Sequence, residues 1–247
     1  MVQIDEWKPW PKQEEALKWV VFELLFGGAR GPGKTDTGIA WIGKTFDHPK
    51  YRGLVIRRNA DDLRDWVDRA NYKFLSRGGV WKESKREFHF TSGAKIRTGH
   101  LKDDNAYEKY LGHEYQRILI EELTLIPTLD LYLKLISSCR STVDGLDARV
   151  FATTNPGGPG HSWVKNRFVD VSPWGEAYWD PNTGRSRMFI QGTVDDNPTL
   201  IEKDPGYIEF LDGLPTELKR AWRYGDWDVF VGMYFSEFDR ALHVYEP

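Results

Sequence analysis

The sequence contains almost no cysteine, because Cys139 is the only one among 247 residues. A single thiol excludes a disulfide bond within the chain. No group of cysteine and histidine residues has the spacing of zinc ligands either. This composition is typical of a protein that works in a reducing compartment, and we expect the cytoplasm.

The sequence also lacks long apolar runs. No uninterrupted run approaches the roughly 18 residues that a membrane-spanning helix needs. The first ten residues (MVQIDEWKPW) are polar and lack the apolar centre of a signal peptide. We therefore expect a soluble protein with no membrane partner.

Aromatic residues, in contrast, are plentiful. The chain has 11 Trp, 13 Phe and 11 Tyr, and 40% of its residues are hydrophobic. This supply is ample for a packed core. A length of 247 residues fits one large α/β domain, or one domain with a small appendage.

The net charge of −3 is unevenly distributed along the chain. Residues 50–102 contain 14 Lys and Arg against 6 Asp and Glu, a net charge of +8, so the remainder carries −11. One interpretation is a basic face for a polyanionic partner. The other is a set of ordinary solvated charges on helices and loops, and composition does not separate the two.

The segment Gly28 to Thr35 (GARGPGKT) fits the phosphate-loop pattern G-x-x-x-x-G-K-[ST]. An apolar run at 20–26 precedes it and predicts a strand, and 34–45 predicts a helix. This is the strand, loop and helix context that the motif requires. The motif therefore predicts a nucleoside triphosphate site.

Within this loop, glycines let the backbone curl so that its N–H groups point at phosphate oxygens, beside the positive end of a helix. Lys34 is expected to reach the β- and γ-phosphates, and the Thr35 hydroxyl to ligate Mg²⁺. The predicted nucleotide-binding residues are Gly28, Ala29, Arg30, Gly31, Pro32, Gly33, Lys34 and Thr35.

Upstream of the loop, residues 13–19 predict a short helix that begins with Gln13. A glutamine beside aromatic residues, 15 to 20 residues ahead of a phosphate loop, is one candidate for an amide hydrogen bond to adenine. The alternative is a surface glutamine on an N-terminal helix.

Further elements follow the loop helix. Residues 54–57 (LVIR) predict a buried strand, and Asp61 is a candidate cap for a helix with Trp66 and Phe74 on its apolar face. Two strands at 88–90 and 95–98, joined by Ser92-Gly93, form a predicted hairpin.

Residues 117–122 (RILIEE) predict a strand that ends in two acids. In phosphate-loop ATPases the first acid holds Mg²⁺ and the second activates the attacking water. Glu121 is thus a predicted metal ligand and Glu122 a predicted general base. Glu121 stands where aspartate is commoner, and its extra methylene lengthens the reach by roughly 1.5 Å. Without the phosphate loop, a strand followed by an acidic helix cap would be favoured instead.

A further strand, predicted at 149–155 (RVFATTN), ends in small polar side chains before a glycine-rich turn. Thr153, Thr154 and Asn155 are candidates for sensing the γ-phosphate and passing that state onward.

Together these segments resemble one family, the large (motor) subunits of tailed-bacteriophage terminases. The resemblance rests on GGARGPGKT, ILIEELTLIP and TTNPGGPGHSWVK, and extends to DDNP at 195–198 and GDW at 225–227. It implies a phosphate-loop ATPase of the additional-strand, RecA-like type, with a mostly parallel sheet flanked by helices. Glu121 departs from the family pattern, which mostly has aspartate, and this puts the affinity for Mg²⁺ in question.

The resemblance also implies a function. It implies a motor that hydrolyses ATP with Mg²⁺ to drive double-stranded DNA into a procapsid in the host cytoplasm, as a ring with portal protein and the small terminase subunit. Arg30 matches an arginine that stabilises charge at the γ-phosphate, and Lys34 and Glu122 complete the catalytic set. Thr153, Thr154 and Asn155 match the coupling motif. If a basic residue of a neighbouring subunit completes the site, the candidates are Arg97, Lys109, Arg117 and Arg140.

The resemblance divides the chain into an ATPase core at 1–194, a lid subdomain at 195–230 and the start of a connection to a nuclease domain at 231–247. The nuclease aspartates of the family lie further along than Pro247, so no DNA cleavage is expected. Two alternatives to the motor remain open, a non-hydrolysing nucleotide-dependent scaffold and a helicase-like ATPase.

Overall fold

The computed structural model describes residues 7–229. The predicted connection at 231–247 therefore lies outside the described residues. The strands are β1 Glu23–Gly28, β2 Arg52–Arg57, β3 Gly79–Lys82, β4 Glu87–Phe90, β5 Lys95–His100, β6 Arg117–Ile120, β7 Arg149–Thr153, β8 Tyr178–Trp179 and β9 Ser186–Gly192. The α-helices are α1 Pro11–Lys18, α2 Lys34–Ile42, α3 Arg64–Leu75, α4 Leu129–Ile136, α5 His161–Val164, α6 Pro198–Lys203, α7 Pro205–Asp212 and α8 Thr216–Arg223.

All nine strands form one sheet in the order β3-β4-β5-β2-β6-β7-β1-β9-β8. The six central strands pair in parallel, and they are β5, β2, β6, β7, β1 and β9. The antiparallel pairs lie at the two edges of the sheet. Parallel strands need helical crossovers, which cover both faces of a sheet. This architecture confirms the predicted mostly parallel sheet flanked by helices.

Two apolar clusters fill the two faces of the sheet. Trp66 and Phe74 of α3 are 1% and 2% exposed and lie in the first cluster, as their helical spacing predicts. The second cluster contains Tyr132 and Leu135 of α4. Since both faces are covered, ligands are restricted to the edge where the strands end.

Several predicted boundaries were wrong. The first strand begins at Glu23 rather than residue 20, because the ladders to β7 and β9 begin there, and Val20 is 69% exposed. Asp61 does not cap α3, since it lies in a 3₁₀ turn at 61–63 without a side-chain cap hydrogen bond. Strand β3 was not predicted, because it begins at Gly79 and a Gly-Gly pair indicates a turn rather than a strand.

Candidate nucleotide-binding site

The phosphate loop joins the end of β1 to the start of α2 at the carboxyl edge of the sheet. Gly28 has φ +111° at the last position of β1, and a Cβ there would meet the Gly192 carbonyl oxygen at 2.6 Å. Gly33 precedes α2 with φ +78°, in the left-handed region. Only glycine fits both positions without strain.

Lys34 is the buried cation of the site. Its Nζ donates to the Ala29 carbonyl oxygen at 2.6 Å and to Asn155 Oδ1 at 2.8 Å. Burial lowers the pKa of Lys34 to about 8, although the negative charges of Glu122 and Glu121 oppose that shift. The ammonium group is therefore held inside the loop, next to the end of β7.

Glu121 lies directly after β6 and is 3% exposed. Its Oε2 accepts hydrogen bonds from Thr153 Oγ1 at 3.0 Å and from Thr35 Oγ1 at 3.3 Å. Its Oε1 is buried and accepts no hydrogen bond from the described part of the chain. Burial, and then the charge of Glu122, raises the pKa of Glu121 to about 7. Glu121 and Thr35 are therefore adjacent, as predicted for residues that share one ligand.

Glu122 has φ +57° and ψ +57°, which non-glycine residues rarely adopt. Its backbone N–H donates to Thr153 Oγ1 at 3.4 Å, and its Oε2 accepts from Asn155 Nδ2 at 3.5 Å. Strained backbone of this kind is concentrated at functional sites.

The three polar residues at the end of β7 have different contacts. Thr153 touches both glutamates, and the Asn155 amide lies between Lys34 and Glu122. The Thr154 hydroxyl instead meets Thr124 Oγ1 at 2.7 Å and accepts from the Thr124 N–H at 3.1 Å. Thr153 and Asn155 therefore face the site, whereas Thr154 holds the turn that follows Glu122.

Gln13 of α1 is 3% exposed and lies against the phosphate loop. Its Nε2 donates to the Gly33 carbonyl oxygen at 3.2 Å and to that of Pro32 at 3.5 Å. Its Oε1 accepts from the Trp10 N–H at 2.8 Å. The alternative of a surface glutamine was wrong, and the predicted contact with adenine would require this amide to leave the loop.

Arg30 is exposed, and its guanidinium carbon lies 3.4 Å from the centroid of the Trp222 ring of α8. The Arg30 N–H also donates to the Trp222 carbonyl oxygen at 2.8 Å. The arginine predicted at the γ-phosphate thus contacts the C-terminal helices in this structure.

Sequence reasoning missed four further residues, three beside the loop and one, His161, beside the turn after β7. Asn197 Nδ2 donates to the Gly31 carbonyl oxygen at 2.7 Å, and Gly225 packs on Gly28 and Ala29 so closely that a Cβ would lie 2.5 Å from the Ala29 nitrogen. The other two are Trp222 and His161. Their only sequence signals were the DDNP and GDW segments and the glycine-rich turn, and these did not reveal which side chains reach the loop.

His161 connects the turn after β7 to the GDW segment. The Gly157 N–H donates to His161 Nδ1 at 2.9 Å, and Nε2 lies 3.1 Å from the Trp227 carbonyl oxygen. The imidazole also stacks on the Trp227 ring, with centroids 5.3 Å apart. This contact joins the turn after β7 to the last described residues.

The four basic residues considered for a neighbouring site have different surroundings in the fold. Arg117 is 8% exposed and donates to the Trp41 carbonyl oxygen, so its guanidinium does not extend to another subunit. Arg140 lies beside Tyr115, at the edge where β6 begins. Lys109 is exposed near the end of β5, and Arg97 points at the Tyr115 hydroxyl.

No family model and no curated protein matches the sequence. Among solved structures, the large terminase of the thermophilic bacteriophage D6E matches 98% of this chain and 60% of that chain, with a TM-score of 0.70 and 17% identity. Its complex with ADP matches 96% and 59%, with a TM-score of 0.69 and 19% identity. The chain therefore spans about three fifths of the length of that terminase.

The large terminase ATPase domain of Thermus phage P74-26 matches 90% of this chain and 95% of that chain, with a TM-score of 0.62 and 15% identity. The nine-stranded sheet and its phosphate loop thus confirm the predicted RecA-like class. The chain has the fold of the ATPase domain of the large terminases.

Proposed function

We propose that the chain is the ATPase domain of a phage large terminase, which hydrolyses ATP to move double-stranded DNA into a procapsid. The observation that carries the proposal is one group of hydrogen-bonded residues at the carboxyl edge of a parallel sheet. Asn155 links Lys34 to Glu122, and Glu121 accepts from Thr35 of the phosphate loop and from Thr153. The D6E terminase forms complexes with ADP and with ATP-γ-S, which supports a nucleotide at this edge.

Magnesium fits the oxygen atoms of Thr35 and Glu121. The buried, unpartnered Glu121 Oε1 and the neighbouring Thr35 hydroxyl are hard ligands, and Mg²⁺ bound with a nucleotide takes one or two protein oxygens. When bound, the ion would neutralise charge on the β- and γ-phosphates.

The remaining steps use side chains of this chain. The γ-phosphate competes with Asn155 Oδ1 for the Lys34 ammonium group, so binding separates Lys34 from Asn155. Glu122 then accepts the proton of the water that attacks the γ-phosphorus. For Arg30 to stabilise the transferring group, its guanidinium must leave Trp222, and this links hydrolysis to α8.

A change at Asn155 would also affect the C-terminal helices through a second set of contacts. Asn155 is followed by the turn whose Gly157 N–H is held by His161, and His161 contacts Trp227. Loss of the γ-phosphate would therefore alter both Trp222 and Trp227. We propose that this displacement moves the helices at 195–229 against DNA, in a ring on the capsid with portal protein and the small subunit, in the host cytoplasm.

A phosphate-release assay with and without DNA tests the proposal. We expect Glu122→Gln to lower turnover about 10²- to 10⁴-fold while ATP binding persists. Lys34→Ala should abolish ATP binding, and the exposed Lys18→Ala serves as its control. Measurable ATP affinity in Lys34→Ala would contradict the assignment. The domain alone is expected to be slow if ring neighbours complete its site.

One alternative is a scaffold that binds nucleotide without hydrolysing it, because Glu121 stands where aspartate is commoner and the chain outside residues 50–102 is acidic. Absence of turnover in the wild type, under every DNA and oligomeric condition, would support the scaffold. ATP-dependent strand separation would support a helicase instead.

A further inference from the structure

A short 3₁₀ turn, Leu123–Leu125, follows Glu122 directly. The first N–H groups of a helical turn have no acceptor within the turn and need another partner. The residue before the turn commonly supplies that acceptor from its own side chain. Glu122 holds this position, but within the described residues its side chain makes no such hydrogen bond. Its carboxylate lies instead 3.5 Å from Asn155 Nδ2.

Two buried hydroxyl groups replace the missing cap. Thr154 Oγ1 accepts from the Thr124 N–H at 3.1 Å, and the two hydroxyl oxygens are 2.7 Å apart. Both also lie 3.2 Å from the Asn155 carbonyl oxygen, to which one of them donates. Because Thr124 is 3% and Thr154 0% exposed, water does not replace these partners. The turn after β6 is therefore capped from the end of the neighbouring strand β7.

The same turn is also held by the segment that begins α5. The Thr124 carbonyl oxygen accepts from the Gly160 N–H at 2.7 Å, and the Ile126 carbonyl oxygen accepts from Trp163 Nε1 at 2.8 Å. A Cβ at Gly160 would lie 2.2 Å from the Ile126 oxygen, so the two segments are in close contact. Glu122 joins this fixed turn to β6 with φ +57°, a conformation that persists only where the surroundings impose it.

We propose that Thr124 is a positioning residue, which with Thr154 caps the turn in place of Glu122 and leaves the Glu122 carboxylate beside Asn155. The inference rests on the proposed role of Glu122 as general base. Without the pair, the Thr124 N–H would be unpaired, and the Glu122 carboxylate would turn to accept from it. The acidic helix cap that the sequence pattern also allows is thus the arrangement that the two threonines prevent.

Phosphate release and ATP binding together test this role. Thr124→Val and Thr154→Val each remove one hydroxyl group at nearly constant volume. We expect each to lower turnover about 10- to 100-fold, as for a displaced general base. ATP affinity should stay within a few fold of the wild type, since in the described part of the chain neither hydroxyl bonds to the phosphate loop. Thr124→Ser keeps the hydroxyl and should restore most of the turnover.

The matched control is Thr98→Val. Thr98 is 6% exposed, and its hydroxyl donates to the Arg86 carbonyl oxygen at 3.3 Å, so this variant also loses a buried hydroxyl. Its turnover without DNA should remain that of the wild type. Equal turnover in Thr98→Val and Thr124→Val would overturn the proposal.

The double variant Thr124→Val/Thr154→Val tests whether the two hydroxyls act as one unit. Its turnover should then be no lower than that of the weaker single variant. Losses that multiply would mean separate roles and would contradict a shared cap.

A crystal structure of Thr154→Val without nucleotide gives a readout that does not depend on turnover. The Glu122 carboxylate should accept from the Thr124 N–H, and φ of Glu122 should become negative. An unchanged Glu122, still beside Asn155, would refute the inference. If the wild type releases no phosphate, the proposed function fails, while the position of this carboxylate still decides whether the threonine pair caps the turn.

Discussion

Asn155 joins Lys34 to Glu122, because its oxygen accepts from Lys34 and its nitrogen donates to Glu122. Only a primary amide supplies both groups in one plane. The residue can therefore transmit the loss of the Lys34 contact to the proposed general base.

This geometry makes Asn155→Asp informative. The carboxylate keeps an acceptor for Lys34 but places a negative charge 3.5 Å from Glu122 Oε2. We expect ATP affinity to change by only a few fold and turnover to fall about 10- to 100-fold, within the range of a perturbed general base. Phosphate release and nucleotide binding measure the two effects. The exposed Asn71→Asp is the control, and equal turnover in both variants would contradict the role.

His161 makes stability depend on pH. Burial lowers the pKa of His161, opposed by its hydrogen bond to the Trp227 backbone and by Asp170 and Asp228, whereas Lys165 acts in the same direction as burial. The His161 imidazole binds a proton more readily in the unfolded chain than in the folded one. The contribution of neutral His161 to the free energy of unfolding is therefore complete above pH 6.5, and it is lost as the pH falls through the lower pKa of the folded state.

We therefore expect the wild type to lose more free energy of unfolding between pH 7 and 5 than His161→Gln does. Urea unfolding at several pH values measures this difference. The exposed His113→Gln should keep the pH dependence of the wild type. Parallel curves for the wild type and His161→Gln would refute the expectation.

At the scale of elements, the site depends on segments that lie far apart in the chain. The loop after β1 is held by α1 through Gln13, by the residue before α6 through Asn197, and by the end of α8 through Trp222. A loop with so many backbone carbonyls engaged is pre-organised, which lowers the free energy that binding must supply for ordering.

Gly225 tests this packing. It has φ +70°, and a Cβ would lie 2.5 Å from the Ala29 nitrogen and 2.8 Å from the Gly28 backbone. Backbone cannot yield as a flexible side chain does, so we expect Gly225→Ala to lower the free energy of unfolding by about 1–3 kcal/mol. Nucleotide affinity should fall as well. Urea unfolding and nucleotide titration measure both, and Gly213→Ala, where the nearest atom is at 3.4 Å, should be close to neutral.

At the scale of the whole molecule, some of the positive charge of residues 50–102 is brought together. Arg86 and Lys102 of this segment, with Lys109 just beyond it, are exposed around His100. Burial and then these charges lower the pKa of His100, and the charge of Asp103 opposes them. Within the described residues these three form no ion pair with a carboxylate.

None of the described helices is long and apolar enough to cross a bilayer.

A DNA phosphate backbone is the partner that we expect for this group. Changing Arg86 and Lys102 to Glu should weaken double-stranded DNA binding by about tenfold or more at low salt, with little dependence on sequence, and should reduce the slope of affinity against salt. Fluorescence anisotropy at several salt concentrations measures both. The control changes the exposed Lys18 and Lys203 to Glu together. It alters the net charge equally, at positions outside residues 50–102. Equal losses in the two double variants would indicate a net-charge effect only.

By itself, the sequence determined the chemistry of the site. The loop, the two glutamates and the end of β7 are contiguous residue patterns, and parallel strands necessarily end at one edge, so their meeting was predictable. Only the tertiary structure decided what Gln13, Asn197, Trp222 and His161 contact, because each reaches a backbone group elsewhere in the chain and leaves no local pattern. Strand pairing likewise decided where β1 begins. Its ladders with β7 and β9 both begin at Glu23, although the apolar run begins at residue 20.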